Sequence, residues 1–312
     1  MDVRIGVDLG GTKTEAVVVR VGGEASARGP LPAGPEVLAK KRIPTARVEG
    51  YRHIVAQTAA LVREVADEAG LASLPPVGVG MPGSRTRDAR VKNSNTTCLN
   101  GMPFFEDLRT ALGREVAFAN DANCFALAEA VWGAARGARV AFGVILGTGV
   151  GGGVVLGGAD GRPRAWDGAQ GIAGEWGHVV LDPREGPPCY CGRRGCVETY
   201  LSGPAIEAAY AERAGARATL LEIAARAAGG EPLATELLAE RVDVFGRALA
   251  TVLDVLDPDV VVLGGGVSNL DVLYTEGPAA VARWTFTDAL STPIVKHALG
   301  DSAGVLGAAL LP

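Results

Sequence analysis

Two stretches with the same layout constrain the fold of this chain more than any other feature. Each consists of an apolar strand, a turn of glycine and threonine, and a second apolar strand, over Arg4–Val19 and Ala141–Leu156. β-Branched residues favour the strands, and the glycines allow the turns. Because each copy opens one half of the 312 residues, the repeat predicts an internal duplication and two α/β domains.

The glycine turns also predict a phosphate site. Gly10–Lys13 and Gly147–Gly149 can each offer backbone N–H groups and a Thr hydroxyl to an anion. Taken singly, each turn is better explained as an ordinary hairpin, whereas the matched pair favours phosphate. Other nucleotide motifs are excluded, because Gly147-x-Gly149-x-x-Gly152 precedes a strand instead of a helix and the first turn lacks Walker spacing.

A cluster of metal-ligand residues lies downstream of the second turn. Three of the five cysteines, Cys189, Cys191 and Cys196, fall within eight residues, and His178 lies just before them. One His and three thiolates make a closed tetrahedral Zn²⁺ site. Free thiols or a disulfide are the alternatives. The low cysteine count and the lack of a secretory pattern after Met1 favour zinc and a reducing cytoplasm.

Two glutamates flank this cluster. Glu175 precedes His178 by three residues, and Glu198 follows Cys196 by two. A zinc ion in the loop would fix both carboxylates, and fixed acceptors suit a ligand with many hydroxyl groups. Ordinary solvated charges are the alternative.

Two aspartates follow predicted strands. Asp8 ends the first strand and could hold Mg²⁺ through water beside a phosphate, or cap the turn. Asp121 lies between a strand over 116–119 and a helix over 122–132, the position where α/β folds bind ligands. It is either an N-cap or a general base that takes the proton of an attacking hydroxyl.

Charge and hydropathy exclude several classes of partner. The formal net charge of −5 argues against nucleic acid and anionic membranes, and no apolar run is long enough to span a bilayer.

The remaining pattern predicts a loop over 22–36 and a long amphipathic helix that ends before Asp257. It also predicts a strand over 260–263 that leads into three glycines, and a terminal helix over 304–311.

Together these motifs resemble the ROK family of sugar kinases and repressors, within the actin/hexokinase-like ATPase superfamily. The resemblance rests on residues 8–14, 120–123, 146–149, 174–178, 189–198 and 257–266. It implies a two-domain α/β fold, actin/hexokinase-like (ribonuclease H-like), with an interdomain cleft. The domains expected are a small one over 1–119, completed by the C-terminal helix over 300–312, and a large one over 120–299.

The resemblance also assigns roles. Asp121 becomes the catalytic base, and Mg·ATP the phosphoryl donor. The implied sugar ligands are Asn100, Asn120, Asp121, Glu175, His178 and Glu198. The implied ligands of a structural Zn²⁺ are His178, Cys189, Cys191 and Cys196. The implied ATP-binding residues are Asp8, Gly10, Gly11, Thr12, Lys13, Gly147, Thr148, Gly149, Gly151, Gly264, Gly265 and Gly266.

The implied reaction is ATP-dependent phosphorylation of a hexose at its 6-hydroxyl. Residues 4–15, 93–101 and 300–304 look most like the bacterial manno(fructo)kinase branch, which favours fructose, with mannose as a second substrate. Related alternatives are N-acetylglucosamine kinase and glucokinase, and a hexose sensor without turnover is the non-enzymatic one. Family members are commonly dimers, so a cytoplasmic homodimer is expected. The DNA-binding domain of the repressors is not expected, since the first strand starts by Val3.

Zinc is expected to support sugar binding more than nucleotide binding. Both glycine turns are remote from the cysteines in the sequence, so loss of the metal should weaken sugar recognition before nucleotide binding. His178 would couple the two sites, with one ring nitrogen on zinc and the other facing a sugar hydroxyl.

Overall fold

The computed structural model describes residues 2–21 and 34–312, and most of the predicted loop over 22–36 lies outside these ranges. The strands are β1 (Asp2–Leu9), β2 (Lys13–Val21), β3 (Glu36–Pro44), β4 (Val77–Met81), β5 (Ser84–Arg85), β6 (Val91–Lys92), β7 (Val116–Asn120), β8 (Val140–Leu146), β9 (Val150–Gly157), β10 (Pro163–Ala165), β11 (Val260–Gly264) and β12 (Ile294–Lys296).

The described residues also form α-helices. They are α1 (Tyr51–Glu68), α2 (Phe104–Leu112), α3 (Asp121–Trp132), α4 (Glu198–Leu201), α5 (Gly203–Ala214), α6 (Leu220–Ala228), α7 (Pro232–Leu256), α8 (Val272–Thr275), α9 (Gly277–Ala282) and α10 (Ala303–Ala309). Among the described helices, none combines the length and the apolar character needed to cross a membrane.

The first sheet has the strand order β3-β2-β1-β4-β7. β1 and β2 form the predicted antiparallel hairpin, while β1, β4 and β7 run parallel. Asp8 pairs with Gly80, and Met81 pairs with Asn120, so the three parallel strands end at one edge of the sheet. This register brings the residues that follow β7 to the same edge as Asp8.

β3 was not predicted from the sequence. It is an edge strand on β2, and Ala39 is the one buried residue along it. The run Lys40-Lys41-Arg42 hides the strand pattern, because edge strands often carry charged residues that prevent further pairing. Two of these charges have a local partner, since Lys40 and Arg42 both form ion pairs with the buried carboxylate of Glu15.

Glycines allow α10 to lie directly on the first sheet. A Cβ at Gly6 would come within 2.1 Å of the Val305 carbonyl oxygen, and one at Gly78 within 1.9 Å of the Ala308 carbonyl oxygen. On its other side α10 packs on α3, where a Cβ at Gly307 would lie 1.7 Å from the Cys124 carbonyl oxygen. Side chains at Gly6 or Gly78 would therefore push α10 off the sheet, and one at Gly307 would push it off α3.

The second sheet has the order β10-β9-β8-β11-β12 and repeats the layout of the first. The predicted hairpin joins β8 to β9, and β8, β11 and β12 run parallel. α7 buries Val242, Phe245, Leu249 and Leu253 along one face, as the helical spacing predicts. It ends at Leu256, and the C-cap residue Asp257 adopts a left-handed conformation with φ of 45°.

The chain divides into two compact units. The first comprises Met1–Arg139, Gly153–Gly174 and Ala298–Pro312, and the second comprises Val140–Gly152 and Glu175–His297. These bounds differ from the predicted 1–119 and 120–299, mainly because α3 belongs to the first unit, where it packs against α10.

Candidate active site

Asp121 is the first helical residue of α3, but it is not the N-cap. Asn120 has the extended backbone of an N-cap, and its Oδ1 accepts the Ala122 N–H at 2.9 Å. Its Nδ2 donates to the Gly83 carbonyl oxygen at 3.0 Å. Asp121 Oδ1 also accepts the Ala122 N–H, at 2.9 Å. Since Asn120 already caps the helix, the N-cap explanation for Asp121 is wrong.

Asp8 and Asp121 influence each other electrostatically. Burial, followed by the charges of Asp121 and Glu15, raises the pKa of Asp8 to about 7, against the opposing effect of Lys13 and Arg42. Two carboxylates that resist ionising together are suited to a cation, because a metal ion removes the repulsion and favours the charged forms. Carboxylate oxygens are also the donors that Mg²⁺ prefers, so the residues present fit this ion.

The first glycine turn is fixed by hydrogen bonds to neighbouring residues. The Gly10 N–H donates to the Lys13 carbonyl oxygen at 3.0 Å, and Thr45 Oγ1 donates to the Gly10 carbonyl oxygen at 2.7 Å. Thr45 also bonds the hydroxyl of Thr14 at 2.9 Å. Thr12 and Lys13 remain exposed at the tip of the turn. A fixed turn with an exposed hydroxyl and ammonium is able to bind a phosphate group.

The side chain of Asn100, a predicted sugar ligand, forms hydrogen bonds with the backbone of its own loop. Its Oδ1 accepts the Ser94 N–H at 2.9 Å, and its Nδ2 donates to the Ser94 carbonyl oxygen at 3.0 Å, which closes the loop between them. Inside that loop lies Asn95, whose Oδ1 would be 3.1 Å from a Cβ placed on Gly11. Asn95 was not singled out from the sequence, because its closeness to the first glycine turn is a tertiary contact.

A second contact that the sequence did not indicate joins Asn123 to Asp167. Asn123 is buried, and its Nδ2 donates to Asp167 Oδ1 at 2.7 Å while its Oδ1 accepts the Val154 N–H at 3.2 Å. Burial raises the pKa of Asp167, although the bond from Asn123 and the charge of Arg85 act to lower it. The pair fixes the start of the loop that leads to Gly174.

The predicted metal ligands come together in the second unit. Their four ligand atoms, from His178, Cys189, Cys191 and Cys196, all lie within 4.8 Å of one another. Cys189 Sγ is 3.7 Å from His178 Nδ1, and Cys191 Sγ is 3.6 Å from Cys196 Sγ. Bonds of about 2.0–2.3 Å to zinc place tetrahedral ligand atoms roughly 3.5–3.8 Å apart, so the cluster fits this ion. The cysteines form no disulfide.

The second ring nitrogen of His178 contacts a tyrosine. His178 Nε2 is 3.0 Å from the Tyr190 hydroxyl, and the two rings meet edge to face with centroids 5.2 Å apart. Burial, followed by the charges of Glu198, Cys189 and Glu175, raises the pKa of Tyr190 to about 12. The phenol is therefore neutral at physiological pH and lies near both predicted sugar-binding glutamates.

The metal cluster is next to the second glycine turn, contrary to the expectation from sequence distance. Glu198 Oε2 accepts the Val150 N–H at 2.8 Å. A Cβ at Gly177 would lie 1.9 Å from the Val150 carbonyl oxygen, and the Gly203 N–H donates to the Gly147 carbonyl oxygen at 2.9 Å. Folding thus brings the residues beside His178 and Cys196 onto this turn.

The three glycines after β11 reach the same turn. Gly265 has a positive φ of 84°, and a Cβ there would lie 2.3 Å from the Leu146 carbonyl oxygen, directly before Gly147. Gly266 and Gly147 both face open space. Gly149 approaches the Glu198 carboxylate, and Gly151 lies within β9. The predicted nucleotide-side glycines of the second unit therefore form one group.

Curated proteins of known activity are similar to the whole chain. An N-acetyl-D-glucosamine kinase of Photobacterium profundum is 36% identical over 316 residues, with 98% of each chain covered. An N-acetyl-D-glucosamine kinase of Pectobacterium atrosepticum is 36% identical over 318 residues, covering 98% of this chain and 97% of the relative.

Solved structures match the fold over 99% of the chain. The ROK hexokinase of Thermus thermophilus superposes with a TM-score of 0.83 at 33% identity, with 97% of that chain covered. A ROK glucokinase from Streptomyces griseus, in complex with glucose and AMPPNP, has a TM-score of 0.75 at 28% identity, with 98% covered. These matches confirm the predicted α/β fold of the actin/hexokinase-like superfamily.

The match to a family model agrees with both comparisons. The model of the ROK family covers residues 4–312, which includes every segment on which the resemblance rested. This chain therefore belongs to the ROK family and is a sugar kinase of that family.

Proposed function

We propose that this protein transfers the γ-phosphoryl group of ATP to the 6-hydroxyl of a hexose, with Asp121 as the general base. The observation that carries the proposal is the position of Asp121, which directly follows β7 and opens α3 while Asn120 is the N-cap of that helix. Asp121 lies where β7 ends, at the edge of the sheet where Asp8 also ends its strand. Its carboxylate can accept the proton of the attacking hydroxyl there.

The two aspartates take different roles in this proposal. Asp8 would hold Mg²⁺ through water, and the bound ion supplies charge neutralisation for the phosphoryl group. The exposed Thr12 and Lys13 of the first turn would contact phosphate oxygens. Asp121 needs only to orient and deprotonate the sugar hydroxyl, because phosphoryl transfer depends mostly on positioning and electrostatics.

N-acetyl-D-glucosamine is the substrate that we propose first. The sequence motifs favoured fructose, but the curated relatives that cover 98% of the chain at 36% identity phosphorylate N-acetyl-D-glucosamine. Glucose is a second candidate substrate, because the structure of the Streptomyces griseus protein contains it. Fructose, the substrate predicted first from the sequence, is therefore tested as an alternative.

Zinc is proposed as a structural metal on His178, Cys189, Cys191 and Cys196. All four ligands come from the protein, so the ion would have no open position for a substrate. It would fix the loop that carries the predicted sugar ligands Glu175 and Glu198. The homodimer and the cytoplasmic location expected from the family stay predictions.

An ADP-release assay over four sugars tests the proposal. Purified protein with Mg·ATP should release ADP only when a sugar is added, and the product of N-acetylglucosamine should carry phosphate on O6 by NMR. Glucose, mannose and fructose complete the panel. Sugar binding without ADP release would instead identify a hexose sensor and overturn the proposed function.

A further inference from the structure

Tyr190 combines high exposure with a specific contact. It lies between two of the metal-ligand cysteines and is 78% exposed, yet its hydroxyl is 3.0 Å from His178 Nε2. Its ring meets the imidazole at 81°, with centroids 5.2 Å apart. The contact therefore gives this exposed ring one defined orientation, with its hydroxyl directed at the imidazole.

The tautomer of His178 determines which atom donates the hydrogen bond in this contact. His178 Nδ1 is the ring nitrogen on the side of Cys189 Sγ, 3.7 Å away, and is therefore the nitrogen that would bind the metal. A metal on Nδ1 leaves the proton on Nε2, which becomes a hydrogen-bond donor. With that tautomer, the Tyr190 oxygen would accept this bond in the sugar-free protein. A sugar hydroxyl at His178 would need the same N–H.

We propose that Tyr190 limits the affinity for sugar, because its hydroxyl occupies, in the free protein, the place on His178 Nε2 that a sugar hydroxyl takes in the complex. A phenol and a sugar hydroxyl are both neutral oxygen acceptors, so one replaces the other without leaving the donor unpaired. Because the ring is mostly exposed, moving it aside uncovers little apolar surface. This inference rests on the proposed function.

The variant Tyr190→Phe separates this role from a structural one. It keeps the ring and removes the competing oxygen, so the KM for the sugar should fall by about two- to tenfold, the scale of one net hydrogen bond. The kcat and the zinc content should stay unchanged. Tyr200→Phe is the matched control, because its contact with the Arg241 guanidinium needs only the ring.

Three results with the variant would overturn the proposal. An unchanged KM would mean that the phenol does not compete with sugar. A raised KM would make Tyr190 a sugar contact or a support for the ring. Loss of zinc from the variant would mean that Tyr190 supports metal binding. None of these results involves the control variant, whose KM should match that of the wild type.

Fluorine NMR gives a second measurement without turnover. The sequence has five tyrosines, so 3-fluorotyrosine labelling gives few signals, and Tyr190→Phe identifies the one that belongs to Tyr190. Saturating N-acetylglucosamine or glucose, without ATP, should shift this signal. A signal that stays in place while sugar binds would refute the exchange. If no sugar binds to or is phosphorylated by the wild type, the proposed function fails, and this inference fails with it.

Discussion

The carboxylate of Asp121 is the group whose replacement tests the proposed chemistry most directly. Asp121→Asn keeps the shape of the side chain and removes its basicity, so kcat should fall by about 10²-fold or more while the KM for sugar changes little. Steady-state kinetics would measure both values. The exposed Asp67→Asn serves as the control for a charge change in the same unit. Near-wild-type kcat in the Asp121 variant would exclude its role as the base.

Asp8 should couple stability to pH. Its pKa is raised from 3.8 to about 7, so between these pH values the folded protein binds more protons than the unfolded chain. Stability should therefore decrease as the pH rises through this window, by at most ~1.4 kcal/mol per pH unit. Asp8→Asn removes the cost of ionising this carboxylate. It should raise the Tm at pH 8 more than at pH 5, in buffer without Mg²⁺ or ATP.

Magnesium supplies the control for this experiment. The ion should stabilise wild-type protein at pH 8 by favouring the ionised carboxylate, and it should have little effect on the Asp8 variant. The same variant should lose activity. An equal gain in Tm at both pH values would show that the effect does not come from titration of Asp8.

At the level of single residues, composition and spacing predicted the metal cluster because ligand type is visible in the sequence. Cys189, Cys191, Cys196 and His178 do come within 4.8 Å of one another. The capping of α3 by Asn120 could not be assigned, since two adjacent residues had the chemistry for it. Contacts such as Asn123 to Asp167 depend on residues far apart in the chain and leave no periodic pattern.

Among the structural elements, the segment of residues 177–198, which carries the metal ligands, contacts more of the molecule than the sequence suggested. Glu198 accepts the Val150 N–H, and Gly177 packs on the Val150 carbonyl oxygen. Both contacts tie the loop to the glycine turn between β8 and β9. Sequence separation gave the opposite expectation, because residues 147–150 and 177–198 become neighbours only through the fold.

Loss of zinc should consequently weaken nucleotide binding as well as sugar binding. Cys191→Ser should raise the KM for sugar and also raise, several-fold, the Kd of an ATP analogue measured without sugar. Calorimetry would give that Kd, and metal analysis would report the zinc content. Cys98→Ser, in the first unit, is the control for a lost thiol. Unchanged nucleotide affinity in a zinc-free, folded protein would restore the original expectation.

Glu129 on α3 should be important for stability and not for catalysis. It is fully buried, and its carboxylate accepts the N–H groups of Ala134, Ala298 and Leu299 at 2.7–3.1 Å. Glu129→Gln replaces one acceptor oxygen with a donor that faces these N–H groups. The free energy of unfolding should fall by about 2 kcal/mol or more.

Urea unfolding would measure this loss, with the exposed Glu106→Gln as the matched control. The two variants change the same chemical group, so a similar free energy of unfolding for both would mean that the buried bonds contribute nothing. The sequence offered no sign of this role, because a glutamate within a helix is most often exposed.

For the whole molecule, the repeated hairpin was the most informative feature of the sequence. Two five-stranded sheets share one order of antiparallel and parallel strands, as a duplicated sequence pattern implies. The edge strand β3 and the bounds of the two units were not foreseen. Charged residues concealed β3, and the assignment of α3 to the first unit depends on its packing against α10.

Local motifs and the similarity of the whole chain predict different substrate preferences. Local motifs favoured fructose, whereas similarity over 98% of the chain favours N-acetylglucosamine. We expect kcat/KM for N-acetylglucosamine to exceed that for fructose by at least about tenfold, because a site shaped for an acetamido group leaves polar groups unpaired with a ketose. Glucose should fall between them. Initial rates over the four-sugar panel, with each sugar also tested as an inhibitor of the best substrate, would measure the order. A higher kcat/KM for fructose would show that the local motifs, and not the overall similarity, identify the substrate.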